Sequence, residues 1–354
     1  MAATATTTTT KKTILITGAN GGLGSAIIEQ IASKPEYAAN HGLYTVRDPT
    51  NAPALTSALS HGPTHSHDIL KLDLSKLDNV REAAQEINSR VAAGTIPPIG
   101  LLILNAGFQD FGKQSWTDDD ALDTAFAANY LSHWLLTLLL LQSIDKESGR
   151  IVVIGSFAHD PNDPHNASTG AFQDPRYKTI VSDAAGFEDI AKGRWSSASE
   201  DASFRSGYRR YGAAKLFLIM MQHELQARLS ADPVLGGGGV RVLGVDPGPM
   251  ITGIQRLAPW VIRVLIFKIV YPLVLRLRPI NSMVRAPSRS AADVLKAAFG
   301  EAVEEEPQDA YFDEGVRKTT SEESRDPEKR KLVWKETARL AGLKEGDTVL
   351  ADWQ

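Results

Sequence analysis

The run Thr13 to Thr17 is a short apolar β-type segment that breaks into Gly18-Ala19-Asn20-Gly21-Gly22-Leu23-Gly24, after which Ser25 to Ala32 reads as a helix. This stretch constrains the fold most, because a buried strand, a glycine-rich turn and a helix in that order open a nucleotide-binding βαβ unit. Gly18, Gly22 and Gly24 permit a tight turn, close approach of backbone to a pyrophosphate and close packing of helix on strand. The helix N-terminus would then face the anion. Taken alone, the glycines are also compatible with a plain turn.

Strand and helix signals alternate along the rest of the chain, which predicts an α/β fold with a doubly wound parallel sheet and a ligand at the C-terminal strand ends. Leu43 to Val46, Ile69 to Leu72, Leu101 to Leu104, Ile151 to Gly155 and Val240 to Val245 are the buried-strand candidates. Ala121 to Leu141 reads as a sheet-covering helix whose first turn carries Asp118, Asp119 and Asp120 to match the dipole. It is long enough to span a bilayer, but Asn129 and His133 within it favour a buried core helix. The 354 residues, 43% hydrophobic and 23% charged, suffice for one large domain with extensions. A net charge of −4 gives no sign of a nucleic-acid partner, and the absence of Cys excludes disulfides, thiolate metal sites and cysteine nucleophiles. Residues 1–11, a Thr/Ala tract ending in Lys, lack an apolar signal core and read as a disordered tail.

Tyr211 and Lys215 stand four residues apart at the head of a long apolar helical run, which places an ammonium beside a phenol on one helix face. A free phenol is a poor acid-base catalyst at neutral pH, and an adjacent cation favours the phenolate. The pair is therefore the candidate for the chemistry.

With these features the chain resembles the short-chain dehydrogenase/reductase family, over roughly Lys12 to Phe312. The glycine spacing matches that family's TGxxxGxG form, and further motifs follow in the family's order. Asp73 in Leu72-Asp73-Leu74-Ser75 resembles the acidic residue that holds the adenine ring, and Asn105-Ala106-Gly107 resembles the turn that lies against the cofactor. Asn129 stands at the place of the family's helix Asn, Ser156 at that of its catalytic Ser, and Pro247-Gly248 with Thr252 resembles the PGxxxT segment along the nicotinamide. The resemblance implies a Rossmann-type sheet, with Gly18, Asn20, Gly22, Leu23, Gly24, Arg47, Asp73, Asn105, Ala106, Gly107, Pro247, Gly248 and Thr252 binding a nicotinamide dinucleotide together with Tyr211 and Lys215. Within the family the likeness is to retinol dehydrogenase-like and fungal biosynthetic members.

Cofactor choice rests on Val46-Arg47-Asp48 at the end of the second strand. A carboxylate there would chelate the ribose hydroxyls and favour NAD, whereas a guanidinium can bind a 2′-phosphate and favour NADP. Asp48 reads as the start of the Asp48-Pro49 turn and Arg47 as the phosphate ligand, so the expected cofactor is NADP, with NAD left open.

Two segments depart from the family pattern. The stretch from Ser156 to Tyr211 is far longer than the dozen or so positions usual in short members, and residues 158–207 form a polar, turn-rich insertion. It is expected to be either an ordered wall of the cleft or a disordered excursion. His159 and His165 near Asp160 and Asp163, like His61, His65 and His67, read as solvated loop residues and not as metal ligands. The second departure is Ala258 to Leu277, an apolar run carrying Arg263 and Lys268 and interrupted by Pro272. It is expected to be a lid over an apolar cleft, with a monotopic membrane-surface anchor as the alternative. A homodimer contact is left open. Ala310-Tyr311-Phe312 is the expected last strand, and residues 313–354 are a charged extension whose helix docks through Val333, Trp334, Leu340 and Leu343.

The reading is thus of a single domain over residues 12–312, cytoplasmic with membrane association left open, that interconverts a carbonyl and an alcohol on an apolar small molecule. A lipid, a retinoid- or steroid-like compound or a secondary metabolite fits. As the resemblance implies it, Tyr211 exchanges the proton, Lys215 lowers its pKa and binds the ribose, Ser156 orients the carbonyl and Asn129 holds a water beside Lys215. The alternative is a non-catalytic dinucleotide-binding sensor or scaffold of the same fold.

Overall fold

The computed structural model describes residues 11–237, 239–250, 252, 257–258, 270, 276, 284–300 and 308–354. The tail 1–10 and most of the apolar segment 258–277 lie outside these residues.

Eight strands form one sheet: β1 (Thr13–Ile16), β2 (His41–Val46), β3 (His67–Lys71), β4 (Ile99–Leu104), β5 (Arg150–Ile154), β6 (Arg241–Asp246), β7 (Tyr311–Asp313) and β8 (Val316–Arg317). Their spatial order is β3-β2-β1-β4-β5-β6-β7-β8, with every pair parallel except β7 and β8. The chain leaves β3 at one edge and returns as β4 on the other side of β1. The loops after β1 and β4 therefore diverge and open a crevice at the C-terminal strand ends.

Among the described residues, seven helices of eight residues or more accompany the sheet: α1 (Gly22–Ser33), α2 (Leu77–Ala92), α3 (Thr124–Ser143), α4 (Ala184–Ala191), α5 (Phe204–Ala231), α6 (Pro287–Phe299) and α7 (Pro327–Ala341). Strand side chains alternate between two cores, as the pleat requires. Ile14 and Ile16 of β1 join Ile27 of α1 and Val294 of α6, while Leu15 joins Val80 of α2, Leu136 of α3 and Phe217 of α5.

The predicted strands are present with shifted ends. The second, third and fourth begin earlier than expected, at His41, His67 and Ile99, because the backbone ladder extends beyond the apolar residues. β3 is not a buried strand. As the edge of the sheet it is covered on one side only, and Ile69 is exposed.

The long helix is buried, as expected, but Asp118, Asp119 and Asp120 lie in a turn before it and do not form its first turn. Asp123 does the capping, accepting hydrogen bonds from the amides of Ala125 and Phe126. One turn further on, Ala127–Leu131 widens into a π-helical turn.

The insertion 158–207 is an ordered wall, built from 3₁₀ turns at Phe157–His159, Pro164–Thr169 and Pro175–Tyr177 and from helix α4. Ala171, Phe172 and Tyr177 make a small apolar cluster of its own. Arginines of α5 clamp it to the body. Arg209 pairs with Asp201 at 2.7 Å and lies over the Tyr177 ring at 4.1 Å. The fully buried Arg210 pairs with Asp110 at 2.7 Å and Asp123 at 3.3 Å.

Helix α7 closes the sheet-covering layer. Trp334 meets Trp134 edge to face at 5.1 Å, Tyr130 Oη and Thr337 Oγ1 are hydrogen-bonded at 2.6 Å, and Val333 and Leu343 are buried whereas Leu340 is only partly so.

Candidate active site

A cleft of about 1110 Å³ opens at the C-terminal ends of β1, β2, β4, β5 and β6. Every residue expected to bind the dinucleotide lines it, from the Gly18–Gly24 turn through Arg47, Asp73 and Asn105-Ala106-Gly107 to Pro247, Gly248 and Thr252. Ser156, Tyr211 and Lys215 line it as well. Asn129 does not.

The glycine turn shows why side chains are excluded there. Gly18 has a φ of +68°, a region open to glycine at little cost, and a Cβ on it would stand 2.8 Å from Ala106 Cα. A Cβ on Gly24 would stand 2.5 Å from Gly18 O, a backbone atom that cannot yield without opening the turn.

Thr17 at the end of β1 ties this turn to β4. Its Oγ1 accepts from the amides of Asn105 at 2.9 Å and Ala106 at 3.0 Å, and Asn105 Nδ2 donates to Thr17 O at 2.8 Å. Asn20 Oδ1 accepts from the amides of Ala54 and Leu55, so it pins the chain beyond β2 to the turn. Asp73 Oδ1 accepts from the Ser75 amide and hydroxyl in a local Asx turn.

Arg47 and Asp48 are both exposed on the cleft wall, but their engagements differ. Asp48 Oδ1 accepts from the Thr50 amide at 2.9 Å and hydroxyl at 2.6 Å, and these bonds hold its carboxyl below the usual range. Arg47 has no hydrogen bond or ion pair to another described residue.

Ser156 follows β5 and caps the turn Phe157–His159, its hydroxyl accepting from the Ala158 amide at 3.2 Å. Its side chain acts on the Tyr211 phenol, opposing the rise that burial causes. The long insertion therefore leaves Ser156 beside Tyr211, since α5 carries Tyr211 back to the end of β5. Lys215, one turn further along α5, donates from Nζ to Ile154 O at 2.6 Å and lies 5.6 Å from the Tyr211 ring centre.

One electrostatic expectation is corrected. Tyr211 is pushed above the ordinary tyrosine range, not below it, because burial penalises the phenolate, with the Ser156 side chain opposing this and Asp246 adding to it. Lys215 does not offset this burial and is itself pushed down to about 8 by desolvation, against the pull of Asp246. Asp246, the last residue of β6, is buried and pushed up to about 6 for the same reason.

Asn129 holds the loop after β4. Its amide is fully engaged, with Oδ1 accepting from the Phe108 amide at 2.6 Å and Nδ2 donating to Phe108 O at 2.8 Å and Ala125 O at 2.7 Å. The π-helical turn presents this side chain to the loop after β4, so Asn129 positions that loop from behind the cleft with both of its Nδ2 hydrogens engaged.

Two histidines expected in solvent are buried. His159 Nδ1 contacts Ser156 O at 2.6 Å and its Nε2 accepts from the Ser321 amide at 3.1 Å; His65 Nε2 contacts Tyr44 Oη at 2.7 Å.

Sequence reasoning missed the far end of the cleft. Phe108, Phe111, Phe157, Phe204 and Tyr208 line it, with Met250. Phe204 and Tyr208 share the stripe of α5 that carries Tyr211 and Lys215, at spacings of four, three and four. That periodicity was present in the sequence and could have found them.

The comparisons with known proteins agree with this geometry. A family model described as short chain dehydrogenase matches residues 12–171, and one described as AcuH dehydrogenase domain matches residues 257–350. The chain is 41% identical to a short-chain dehydrogenase, iccH, of Talaromyces variabilis, over 97% of this chain and 99% of that protein. It is 26% identical to human retinol dehydrogenase 13 over 94% of this chain and 85% of the relative. Among solved structures, NADPH-bound carbonyl reductase from chicken fatty liver superposes with a TM-score of 0.57 at 16% identity, over 88% of this chain and all of the other.

Proposed function

The chain belongs to the short-chain dehydrogenase/reductase family of oxidoreductases, and on that footing we propose that it uses NADP(H) to interconvert a ketone or aldehyde and an alcohol on an apolar small molecule. The observation that carries this reading is the convergence of Tyr211, Ser156 and Lys215 on the same cleft that the glycine-rich turn lines.

The site's residues fit the dinucleotide: side-chain-free backbone at Gly18 and Gly24 lets a pyrophosphate approach the N-terminus of α1. Arg47 would hold the 2′-phosphate, since its guanidinium is unengaged while the neighbouring Asp48 is occupied by Thr50. The NADPH of the chicken carbonyl reductase supports that choice. Bound NADPH supplies the hydride.

The Ser156 hydroxyl would orient the substrate carbonyl oxygen, and the Tyr211 hydroxyl would deliver a proton to that oxygen. Burial pushes the phenol above the ordinary tyrosine range, so it is a proton donor at neutral pH. Lys215, an ammonium below about pH 8, would hold the ribose hydroxyls beside Tyr211.

The test is oxidation of NADPH by the purified chain with a panel of apolar ketones and aldehydes. Turnover of any member supports the reading. NADPH binding with turnover of none would instead point to a non-catalytic dinucleotide-binding protein of the same fold.

A further inference from the structure

Resting on that reading, we infer that the insertion makes the far end of the cleft a slot for a flat aromatic carbonyl compound bearing a hydroxyl group, with His165 as the residue that recognises the hydroxyl. Five aromatic rings line this end. Phe108 and Phe111 come from the loop after β4, Phe157 from the loop after β5, and Phe204 and Tyr208 from the stripe of α5 that leads to Tyr211. Aromatic faces accept flat rings by offset stacking or edge contact, and a slot walled by them favours planar substrates over saturated ones of equal size.

These rings are held in place. Phe111 sits at a φ of 53°, a conformation rare for a bulky residue. The strain is maintained by Asp110, whose Oδ1 accepts from the Gly112 amide at 2.8 Å while its carboxylate is bound by Arg210. Backbone strain retained at a cleft wall points to a side chain whose placement matters. Within the insertion the buried Asn166 is a hub. It donates from Nδ2 to Phe157 O at 3.1 Å and Asp160 O at 2.8 Å, and its Oδ1 accepts from Tyr208 Oη at 2.8 Å. The insertion thus fixes both Phe157 and Tyr208.

The described polar groups at this end carry no fixed charge, and they suit a neutral substrate. Among the described residues that line the cleft, the only Lys and Arg are Arg47 and Lys215, both at the cofactor half. What the insertion offers is His165, Ser168 and Thr169. His165 Nδ1 is bonded to Asp163 Oδ1 at 2.7 Å, and its ring stands 5.3 Å from that of Phe157. A carboxylate on Nδ1 fixes the proton there and makes Nε2 an acceptor, the partner a phenolic or alcoholic hydroxyl requires.

The chemistry is unchanged by this assignment: a hydride adds to the ketone carbon, the Tyr211 proton goes to its oxygen, and an alcohol results.

The test compares hydroxytetralone, tetralone and its saturated counterpart decalone as substrates, with NADPH, for the full chain and for His165→Phe and Tyr208→Leu. The expected kcat/KM falls by at least ~10-fold at each step from hydroxytetralone to tetralone to decalone. His165→Phe should erase the first step and keep the second, and Tyr208→Leu should erase the second. If Tyr208→Leu does not fold, Tyr208→Phe serves in its place and should keep the ring preference. Decalone turned over as well as tetralone, or a hydroxyl preference that survives His165→Phe, would overturn the inference and leave the oxidoreductase reading standing. If none of the three is turned over, competition for binding in the presence of NADPH decides. The same ranking of affinities would support the slot while sinking the catalytic reading, and equal affinities would overturn the slot.

Discussion

Replacing Lys215 with Met should make the protein more stable and inactive, and the gain in stability should depend on pH. Lys215 is 2% exposed, and burial pushes its ammonium down to about 8 from the ordinary lysine range. That gap corresponds to roughly 3 kcal/mol opposing the charged form in the folded chain. Between about pH 8 and the ordinary lysine pKa, the unfolded chain still holds a proton that the folded chain has released, so wild-type stability rises with pH across that window. Below it the full opposition applies. Methionine has no proton to lose, so the difference between variant and wild type isolates this one group.

The Ile154 carbonyl, which accepts from Nζ at 2.6 Å, would lose its donor at a cost of about 1 to 2 kcal/mol at any pH. At pH 7 the variant should therefore be more stable by about 1 to 2 kcal/mol, and by pH 10 this advantage should shrink by roughly 2 to 3 kcal/mol and vanish or reverse. Urea denaturation followed by tryptophan fluorescence, without dinucleotide, measures both values. A stability difference that is the same at pH 7 and pH 10 would refute the reasoning.

Tyr211→Phe keeps the ring and removes the hydroxyl; NADPH binding should survive by fluorescence titration while turnover falls at least ~10²-fold, and activity within a few-fold of wild type would remove Tyr211 from the chemistry. Arg47→Ala should weaken NADPH binding by about 1.5 to 3 kcal/mol and leave NADH nearly unchanged, so the ratio of the two dissociation constants is the quantity to measure; equal losses would return the choice to Asp48. For the apolar segment 258–277, co-sedimentation with anionic liposomes at low and high salt separates its two readings: a lid leaves the protein in the supernatant at both, whereas a surface anchor binds at low salt and is released as salt screens its basic residues.

What was legible in the sequence was what neighbours in the chain enforce. The β1 to α1 turn could be read because Gly18 and Gly24 are required by contacts within a few residues of themselves and with the next strand's exit, and the Tyr211 to Lys215 face follows from helix geometry alone. The features that escaped depend on partners far away. That Asn129 also holds the Phe108 backbone follows from a π-helical turn that no local pattern announced. The Arg210, Asp110 and Asp123 cluster joins α5, the loop after β4 and a helix cap that no local pattern connects. Tyr211 and Lys215 were placed correctly relative to each other, but the depth of burial that pushes their pKa values apart is a property of the assembled layers.

The docking of the last residues has a consequence for how the molecule is made. The Ser321 amide bonds His159, which in turn contacts the Ser156 carbonyl; Glu323 accepts the Ile180 and Val181 amides; and Trp334 covers Trp134. During synthesis the reactive residues emerge long before these partners, so a ribosome-bound chain holding both Ser156 and Tyr211 still lacks the contacts that settle the loop between them. Domains otherwise consolidate from the N-terminus as they are translated, and here consolidation of this layer waits for residues 321–334. A chain interrupted anywhere before Ser321 would carry its whole reactive set, expose the apolar strip of α3 and present it to other nascent chains and to proteases.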